Sequence, residues 1–211
     1  MNKKGVLVVF SGFSGSGKGT IMKKLMENHS DTYALSVSAT TRAPREGERD
    51  GIEYFFKTVP EFEELIKNDE MLEYAQYAGN YYGTPKAYVE QKLNEGFDVI
   101  LEIETQGALK VKEKYPDTLL LFVTPPSADI LYDRLKGRGT EEDDVIAKRM
   151  NQAVNEAKVI DRYDYLVIND DIDECVGHVH EIIKNTHDRT LFKADTIEAL
   201  KNGLNKYQRR D

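Results

Sequence analysis

The chain has 211 residues, of which 40% are hydrophobic, and it carries a formal net charge of -8. This length and composition suffice for one sizeable hydrophobic core with inserted subdomains. The acidic balance argues against a general nucleic-acid binder, because a surface that neutralises many phosphates carries a basic excess. The single cysteine, Cys175, excludes an internal disulfide framework and is interpreted as a small buried hydrophobic residue.

The amino-terminal sequence MNKKGVLVVF contains a short apolar run that meets glycine after only a few residues. The run is too short to span a membrane, and no signal-peptide cleavage pattern follows it. We therefore expect a cytoplasmic protein that does not associate with a membrane.

Short runs of valine, leucine and isoleucine alternate with helical patterns along the chain. In chain order the sequence predicts a strand at 5–12, a helix at 18–28, a weaker strand at 33–38, a helix at 86–94, a strand at 98–104, a helix at 106–115, a strand at 118–126, helices at 128–136 and 143–160, a strand at 164–170 and a helix at 173–186. The strands have the continuous apolar character of strands buried on both faces. The alternation predicts an α/β fold with a central five-stranded parallel sheet flanked by helices.

Two segments interrupt this alternation. Residues 38–85 are rich in tyrosine, phenylalanine, glycine and charge, and predict a small mixed α/β insertion with extended parts at 51–56 and 72–82 and a helix at 60–69. Residues 126–158 predict a mobile helical lid with a polar hinge at 137–142. The core is then expected in residues 1–37, 86–125 and 159–211, and the tail from residue 191 is expected to form one helix.

The stretch GFSGSGKGT follows the first predicted strand and opens a helix, which is the setting of a phosphate-binding loop. Gly12, Gly15 and Gly17 permit backbone conformations in which successive N–H groups point at phosphate oxygens. The helix presents the positive end of its dipole to the same anion, and Lys18 supplies a mobile cation. The loop departs from the usual pattern because Gly19, and not serine or threonine, follows the lysine.

A second concentration of positive charge lies in the segment SATTRAPREGERDGIEYFF. Arg42 and Arg45 are three residues apart, and Pro44 stiffens the chain between them. Two guanidinium groups held together suit a dianionic phosphate monoester, because each donates two parallel hydrogen bonds. Taken alone, the pattern is better explained by arginines that are simply solvated on a polar loop.

Seven strings occur in an order and spacing that closely resemble the guanylate kinase family: GFSGSGKGT, SVSATTRAPREGERDGIEYFF, MLEYAQYAGNYYGTP, ILEIETQGAL, LLLFVTPPS, LKGRGTEE and VINDD. The resemblance runs from about residue 5 to residue 186. It implies the P-loop nucleoside monophosphate kinase fold. It also implies transfer of the γ-phosphoryl group of ATP to GMP, giving ADP and GDP, with Mg²⁺ required.

The resemblance also implies which residues bind the acceptor nucleotide. The expected GMP-binding residues are Ser38, Arg42, Arg45, Tyr54, Glu73, Tyr82, Thr84 and Glu104. The two arginines and two tyrosines match positions that hold the phosphate, and Ser38, Glu73 and Thr84 match positions that meet the base. A carboxylate that accepts from N1–H and the N2 amino group, with hydroxyls donating to O6, selects guanine over adenine. Glu73 is therefore expected to set the specificity.

The donor nucleotide has its own set of expected residues. They are Ser14, Gly15, Ser16, Gly17, Lys18, Gly19, Thr20, Arg134, Arg138 and Asn169. Asn169 resembles the position that contacts adenine, and the lid arginines, including Arg149, resemble those that reach the ATP phosphates on closure. Closure would keep the γ-phosphate from water until both substrates are bound. Arg149 has an alternative reading, in which it only pairs with neighbours in a charged helix.

Catalysis is assigned to Lys18, Arg42, Arg138 and Arg149, and no residue is assigned as a general base. The attacking phosphate oxygen of GMP is already anionic, so positioning and electrostatics suffice.

Two carboxylates are expected near the metal. Glu102 and Glu104 lie two apart at the end of a predicted strand, and so share one face at the sheet edge where α/β folds bind ligands. The resembled family usually has aspartate at the second position, and the extra methylene of Glu104 moves its carboxylate by about 1.5 Å. Because Gly19 offers no hydroxyl, we expect Mg²⁺ to be held by phosphate oxygens and waters, with Glu102 or Glu104 in the outer shell and no direct protein ligand. Thr20 is expected to bind phosphate.

Two other functions are compatible with parts of these patterns. One is a non-catalytic guanylate-kinase-like module that binds phosphopeptides in the same arginine pocket. Such modules typically have a degraded phosphate loop, whereas this chain keeps Lys18 and the loop glycines. The other is a kinase for a different phosphorylated acceptor, such as adenylate, thymidylate or a phosphosugar. The combination of Glu73, Ser38 and Thr84 favours guanine.

Overall fold

The structure is a computed structural model that describes residues 4–137 and 143–208. The strands in the described part are β1 (Leu7–Gly12), β2 (Tyr33–Leu35), β3 (Ala39–Thr40), β4 (Phe55–Phe56), β5 (Met71–Tyr77), β6 (Asn80–Pro85), β7 (Asp98–Glu102), β8 (Leu119–Thr124) and β9 (Tyr165–Ile168). The α-helices are α1 (Lys18–Asn28), α2 (Val59–Lys67), α3 (Lys86–Glu95), α4 (Thr105–Lys114), α5 (Ala128–Lys136), α6 (Asp143–Ala157), α7 (Ile172–Thr186) and α8 (Ala194–Leu204). No helix in the described ranges is long and apolar enough to cross a membrane.

The central sheet has the order β2-β7-β1-β8-β9, and all of its pairings are parallel. Apolar side chains cover both of its faces. On one face α1 and α7 supply Leu25 and Val179 to a large cluster, and on the other α3 and α4 supply Val89 and Val111. The predicted five-stranded parallel sheet is confirmed. Its central strand, β1, leads directly into the phosphate loop at the carboxyl edge, where α/β sheets bind ligands.

Strand β9 differs from the sequence prediction, which made it a strand buried on both faces. Only Val167 is buried, whereas Tyr165, Leu166 and Ile168 are 46%, 50% and 55% exposed. The reason is its place in the sheet, since β9 pairs only with β8 and forms an edge. An apolar run therefore predicted the strand correctly and its burial wrongly.

A second, four-stranded mixed sheet has the order β4-β3-β6-β5. It packs on α2 through a small cluster that contains Ala39, Phe62 and Met71. The single extended segment predicted at 72–82 is wrong, because the chain reverses there and forms the hairpin β5–β6. The turn contains Ala78 and Gly79 with φ of 48° and 80°, the positive values that tight hairpin turns require.

The segment predicted to form the lid, residues 126–158, contains α5 and α6. Leu131, Leu135, Ile146 and Ala153 form its own apolar cluster, and Phe13 of the phosphate loop packs against this cluster. Helix α6 ends at Ala157, three residues before the predicted end. Most of the predicted hinge, residues 138–142, lies outside the described residues.

The tail is not the single helix predicted from residue 191. A 3-10 turn at Thr190–Phe192 precedes α8, and another at Asn205–Tyr207 follows it. Phe192 packs against the main core, while α8 buries none of its residues. Cys175 is buried as expected, and burial raises the pKa of its thiol to about 11.

Candidate active site

The phosphate loop leaves β1 at Gly12 and ends where α1 begins at Lys18. Two of its glycines are required by close backbone contacts. A Cβ on Gly12 would lie 2.2 Å from the carbonyl oxygen of Val123, and one on Gly17, whose φ is +93°, would lie 2.3 Å from Nδ2 of Asn169. The loop is therefore in close contact with Val123 on β8 and with Asn169, which follows β9.

Lys18 folds back over the loop that precedes it. Its Nζ donates to the carbonyl oxygens of Gly12 and Phe13 at 2.7 and 3.0 Å. Gly19 and Thr20 are exposed on the first turn of α1, and the Thr20 N–H donates to the carbonyl of Gly17 at 3.1 Å. The ammonium group therefore lies against the backbone at the start of the loop.

The lid contributes two described arginines to this region. Arg149 on α6 donates from Nη1 to Oγ of Ser14 at 2.6 Å. Arg134 on α5 donates from Nη2 to the backbone carbonyl of Asn169 at 3.0 Å. The third predicted lid arginine, Arg138, lies outside the described residues.

Asn169 was expected to contact adenine, and the structure gives its side chain another partner. The residue is only 4% exposed, and its Nδ2 donates to the carbonyl of Ser16 at 2.8 Å. Ser16 is also buried, and its Oγ has no hydrogen-bond partner among the described residues. Asn169 therefore holds the backbone of the phosphate loop in place at Ser16.

The second predicted charge concentration forms an ordered cluster in the insertion. Both oxygens of Glu48 accept from Nη2 of Arg42 at 2.9 Å, and Oε2 also accepts from the Arg45 N–H at 2.7 Å. The Arg42 guanidinium lies 5.5 Å from the ring centroid of Tyr54, which is 6.2 Å from the ring of Tyr82. The hydrogen bond from Arg42 is the main reason that the pKa of Glu48 is lowered. The structure thus brings four predicted phosphate-binding residues together.

Glu48 belongs to the motif but was assigned no role from the sequence. Its exposed fraction is 17%, and that of the Arg42 side chain is 16%, so the ion pair is largely shielded from solvent. The Glu48 carboxylate fixes the direction of the Arg42 guanidinium and holds the backbone at Arg45. The sequence signal that could have revealed this role was the position of the glutamate in the motif, three residues after Arg45.

Two of the residues predicted to bind guanine lie on adjacent strands of the insertion, β5 and β6. Glu73 on β5 pairs in register with Thr84 on β6, and the Thr84 hydroxyl donates to Oε1 of Glu73 at 2.8 Å. Burial raises the pKa of Glu73. A cavity of about 270 Å³ that is lined by Glu73, Tyr74 and Lys110 lies beside this carboxylate. Ser38 lies just before β3, and its carbonyl accepts from the Phe55 N–H at 2.8 Å.

Thr84 itself has no exposed surface. Its hydroxyl is therefore placed to orient Glu73. The other oxygen of Glu73 points towards α4, because a Cβ on Gly107 would lie 3.1 Å from Oε2. The insertion thus brings this carboxylate against the helix that follows β7, on the sheet edge shared with the phosphate loop.

Comparison with known proteins agrees with this geometry. The sequence matches the family model for guanylate kinase over residues 4–186. The chain belongs to the guanylate kinase family. A crystal structure of guanylate kinase from Anaplasma phagocytophilum is similar to it, with 33% sequence identity, coverage of 86% of each chain and a TM-score of 0.66. The family resemblance of the motifs and the predicted P-loop kinase fold are both confirmed.

Membership of the guanylate kinase family supports a kinase function for the chain. Strand β7 ends at Glu102, and Glu104 occupies the N-cap position of α4 without a side-chain capping bond. The predicted strand to residue 104 was therefore two residues too long. Desolvation in the cleft raises the pKa of Glu102, which still reaches solvent, and the Lys18 ammonium opposes this rise.

One acidic residue in this region was missed by sequence reasoning. Glu156 on the lid helix α6 has an Oε2 atom that is buried and has no hydrogen-bond partner among the described residues, while Oε1 accepts from Gln152 at 2.9 Å. Burial raises its pKa, with Lys18 and Glu104 close enough to influence it electrostatically. Its spacing of seven residues from Arg149, two helical turns on the same face, was the one available signal.

Within residues 4–137 and 143–208, no group of three or more histidine, cysteine, aspartate or glutamate side chains is arranged to hold a metal ion directly. Two acidic residues on different elements, Glu102 on β7 and Glu156 on α6, instead lie close enough to Lys18 for its charge to influence their pKa values. Carboxylates in this arrangement fit the water shell of a Mg²⁺ ion that is bound mainly through nucleotide phosphates.

Proposed function

We propose that this guanylate kinase family member transfers the γ-phosphoryl group of ATP to GMP, giving ADP and GDP. The observation that carries the proposal is the partly buried carboxylate of Glu73, fixed by Thr84 at the same sheet edge as the phosphate loop. One side of the cleft suits a nucleoside triphosphate and the other suits a guanine nucleotide.

Glu73 reads the base of the acceptor. Guanine offers two adjacent donors, N1–H and the N2 amino group, to one carboxylate, whereas adenine has an acceptor at N1 and no amino group at C2. Thr84 holds the carboxylate in place through its hydroxyl. With a base that lacks these donors, the carboxylate keeps only its bond to Thr84 and loses the rest of its solvation, so such a base is strongly disfavoured. Ser38 and Glu104 complete the base side of the site.

Arg42 and Arg45 bind the phosphate of GMP, with hydroxyl donors from Tyr54 and Tyr82. The support is the cluster in which Glu48 already directs the Arg42 guanidinium and the Arg45 backbone. A guanidinium has five N–H donors, so Arg42 can keep its bond to Glu48 and still donate to a phosphate. Glu48 thereby lowers the cost of ordering the arginine when GMP binds.

The phosphate loop and the lid bind ATP. Backbone N–H groups of the loop and the dipole of α1 attract the β-phosphate and γ-phosphate, and Lys18 follows the transferred group. Arg149, which lies against Ser14, and Arg134 and Arg138 on the lid neutralise the charge that spreads over the equatorial oxygens. Because the acceptor oxygen is already anionic, in-line positioning of the two nucleotides replaces a general base.

Mg²⁺ accompanies ATP in this proposal. When bound, the ion would neutralise part of the charge on the phosphates. Glu102 and Glu104 would hold its water shell, and Glu156 would approach it from the lid. Gly19 supplies no hydroxyl for direct ligation, and Thr20, exposed on the first turn of α1, binds phosphate.

A coupled ADP-release assay tests the proposal. The protein is given ATP and Mg²⁺ with GMP, AMP, dTMP or no acceptor, and the Lys18→Ala variant serves as the control for the loop. ADP release that depends on GMP and disappears in the variant supports the proposal. Equal turnover with AMP would contradict the guanine assignment, and no turnover with any acceptor would favour the phosphopeptide-binding module.

A further inference from the structure

The carbonyl of Ser16 in the phosphate loop is held by a residue that is distant in sequence. Asn169 Nδ2 donates to this oxygen at 2.8 Å across a separation of 153 residues, and the contact is buried. The two groups approach so closely that a Cβ on Gly17 would lie 2.3 Å from Nδ2. Any larger residue at position 17 would therefore displace the asparagine.

Asn169 is itself fixed on two further sides. Its backbone N–H donates to the carbonyl of Thr124, at the end of β8, at 2.8 Å. Its backbone carbonyl accepts from Nη2 of Arg134, on lid helix α5, at 3.0 Å. A side chain that is 4% exposed, on a backbone held from both directions, has little freedom to turn away from the loop.

The bond to Ser16 has a direct consequence for the next amide. The peptide unit is planar and trans, so the carbonyl of Ser16 and the N–H of Gly17 point in opposite directions. When Asn169 holds the carbonyl, the Gly17 N–H is directed away from Asn169. Gly17 has the left-handed φ of +93° and lies immediately before α1, where backbone N–H groups collect anions.

We propose that Asn169 is a positioning residue for the phosphate loop and that it directs the Gly17 N–H at the polyphosphate of the donor nucleotide. This role differs from contact with the adenine base, because it acts on any polyphosphate, with or without a base. The inference rests on the proposed function only for the identity of the donor. The loop is preorganised in the free protein, so binding does not incur the free-energy cost of ordering it.

Inorganic tripolyphosphate separates the two roles because it carries the phosphates of ATP without a base. Its affinity and those of ATP and GMP are measured by titration calorimetry on the full chain and on Asn169→Leu, which keeps the branching but removes the donor. Asn169→Ala provides a second variant if the first does not fold. Asp170→Ala, at the exposed neighbouring position, is the matched control.

Positioning predicts that the Asn169 variants bind tripolyphosphate and ATP both about tenfold more weakly, because the loop must then be ordered on binding. GMP affinity should stay close to that of the Asp170→Ala control, whereas the melting temperature should fall, because the buried Ser16 carbonyl loses its hydrogen-bond partner. Loss of ATP affinity with unchanged tripolyphosphate affinity would overturn the proposal in favour of adenine contact. Unchanged affinity for both ligands, or equal loss of GMP affinity, would overturn it as well. None of these results depends on whether GMP is phosphorylated, so the proposed function is tested separately.

Discussion

Nη1 of Arg149 donates a 2.6 Å hydrogen bond to Oγ of Ser14, and this bond joins the lid helix α6 to the phosphate loop. Phe13, next to Ser14, packs against the apolar cluster of the lid, and Met150, next to Arg149, packs against the same cluster. The loop therefore contacts the lid through two consecutive residues, Phe13 by an apolar contact and Ser14 by a hydrogen bond. A guanidinium so close to the loop needs only a small movement to reach a bound phosphate.

Replacement of Arg149 by methionine should lower kcat by about 100-fold or more, because it removes a cation that stabilises charge in the transition state. Single-turnover kinetics with saturating ATP and GMP measure the effect. Lys148→Met, at the exposed neighbouring position, controls for the loss of one positive charge from α6. A kcat within twofold of the original protein would assign Arg149 to helix pairing alone.

Replacement of Glu73 by glutamine should lower kcat/KM for GMP by roughly 100-fold, since a charged hydrogen-bond acceptor is lost and an amide donor faces the donors of guanine. The KM for ATP should hardly change. Because burial raises the pKa of Glu73, GMP binding to the free protein should also weaken as the pH falls, beginning above the usual range for glutamate. Steady-state kinetics with GMP and AMP, repeated over pH, check both effects, and an unaltered preference for GMP would remove Glu73 from base recognition.

Replacement of Glu156 by glutamine should stabilise the fold while it impairs transfer. Burial raises the pKa of this carboxyl, so the ionised side chain destabilises the folded protein above that pKa. The variant should be more stable at pH 7 by roughly 0.5–1 kcal/mol, allowing for partial solvent screening. The difference should vanish as the pH falls below the ordinary value of 4.5. Urea unfolding measures the change in stability, and steady-state kinetics measure the change in kcat. A variant that is both less stable and less active would contradict the prediction.

Alanine substitutions at two loop glycines should have opposite effects on stability. Gly17→Ala places a side chain at a φ of +93° and against Asn169, and should lower the free energy of unfolding by at least about 2 kcal/mol. Gly19→Ala lies in the first turn of α1, with no atom within 4 Å of the new Cβ, and should raise it by roughly 0.5–1 kcal/mol. Urea titration of both variants makes the comparison, and similar free energies of unfolding would contradict it.

The elements that were predicted well are those whose signal is local. Helix α1 has both predicted ends, because the glycine loop before it marks the start and the apolar spacing marks the buried face. The strand β9 was also found, but its exposure was not, since position in a sheet depends on residues elsewhere in the chain. The hairpin turn at Ala78 and Gly79 was missed because alanine is rarely found at positive φ.

The motif strings identified the residues of the candidate site and left their partners open. The bond from Asn169 to Ser16 spans 153 residues, and no spacing in a single sequence encodes it. Glu48 and Glu156 lacked an assigned role for a similar reason, because an acidic residue on a loop or a charged helix is usually solvated. Burial of one Glu156 oxygen is evident only when α6 and the sheet edge are placed together.

The most direct measurement of the proposed reaction is the product balance from ATP and GMP with Mg²⁺, followed by ³¹P nuclear magnetic resonance. The proposed transfer predicts that ADP and GDP form in equal amounts, that no inorganic phosphate is released, and that neither product forms with the Lys18→Ala variant. Formation of ADP with inorganic phosphate in place of GDP, or the absence of both products, would contradict it.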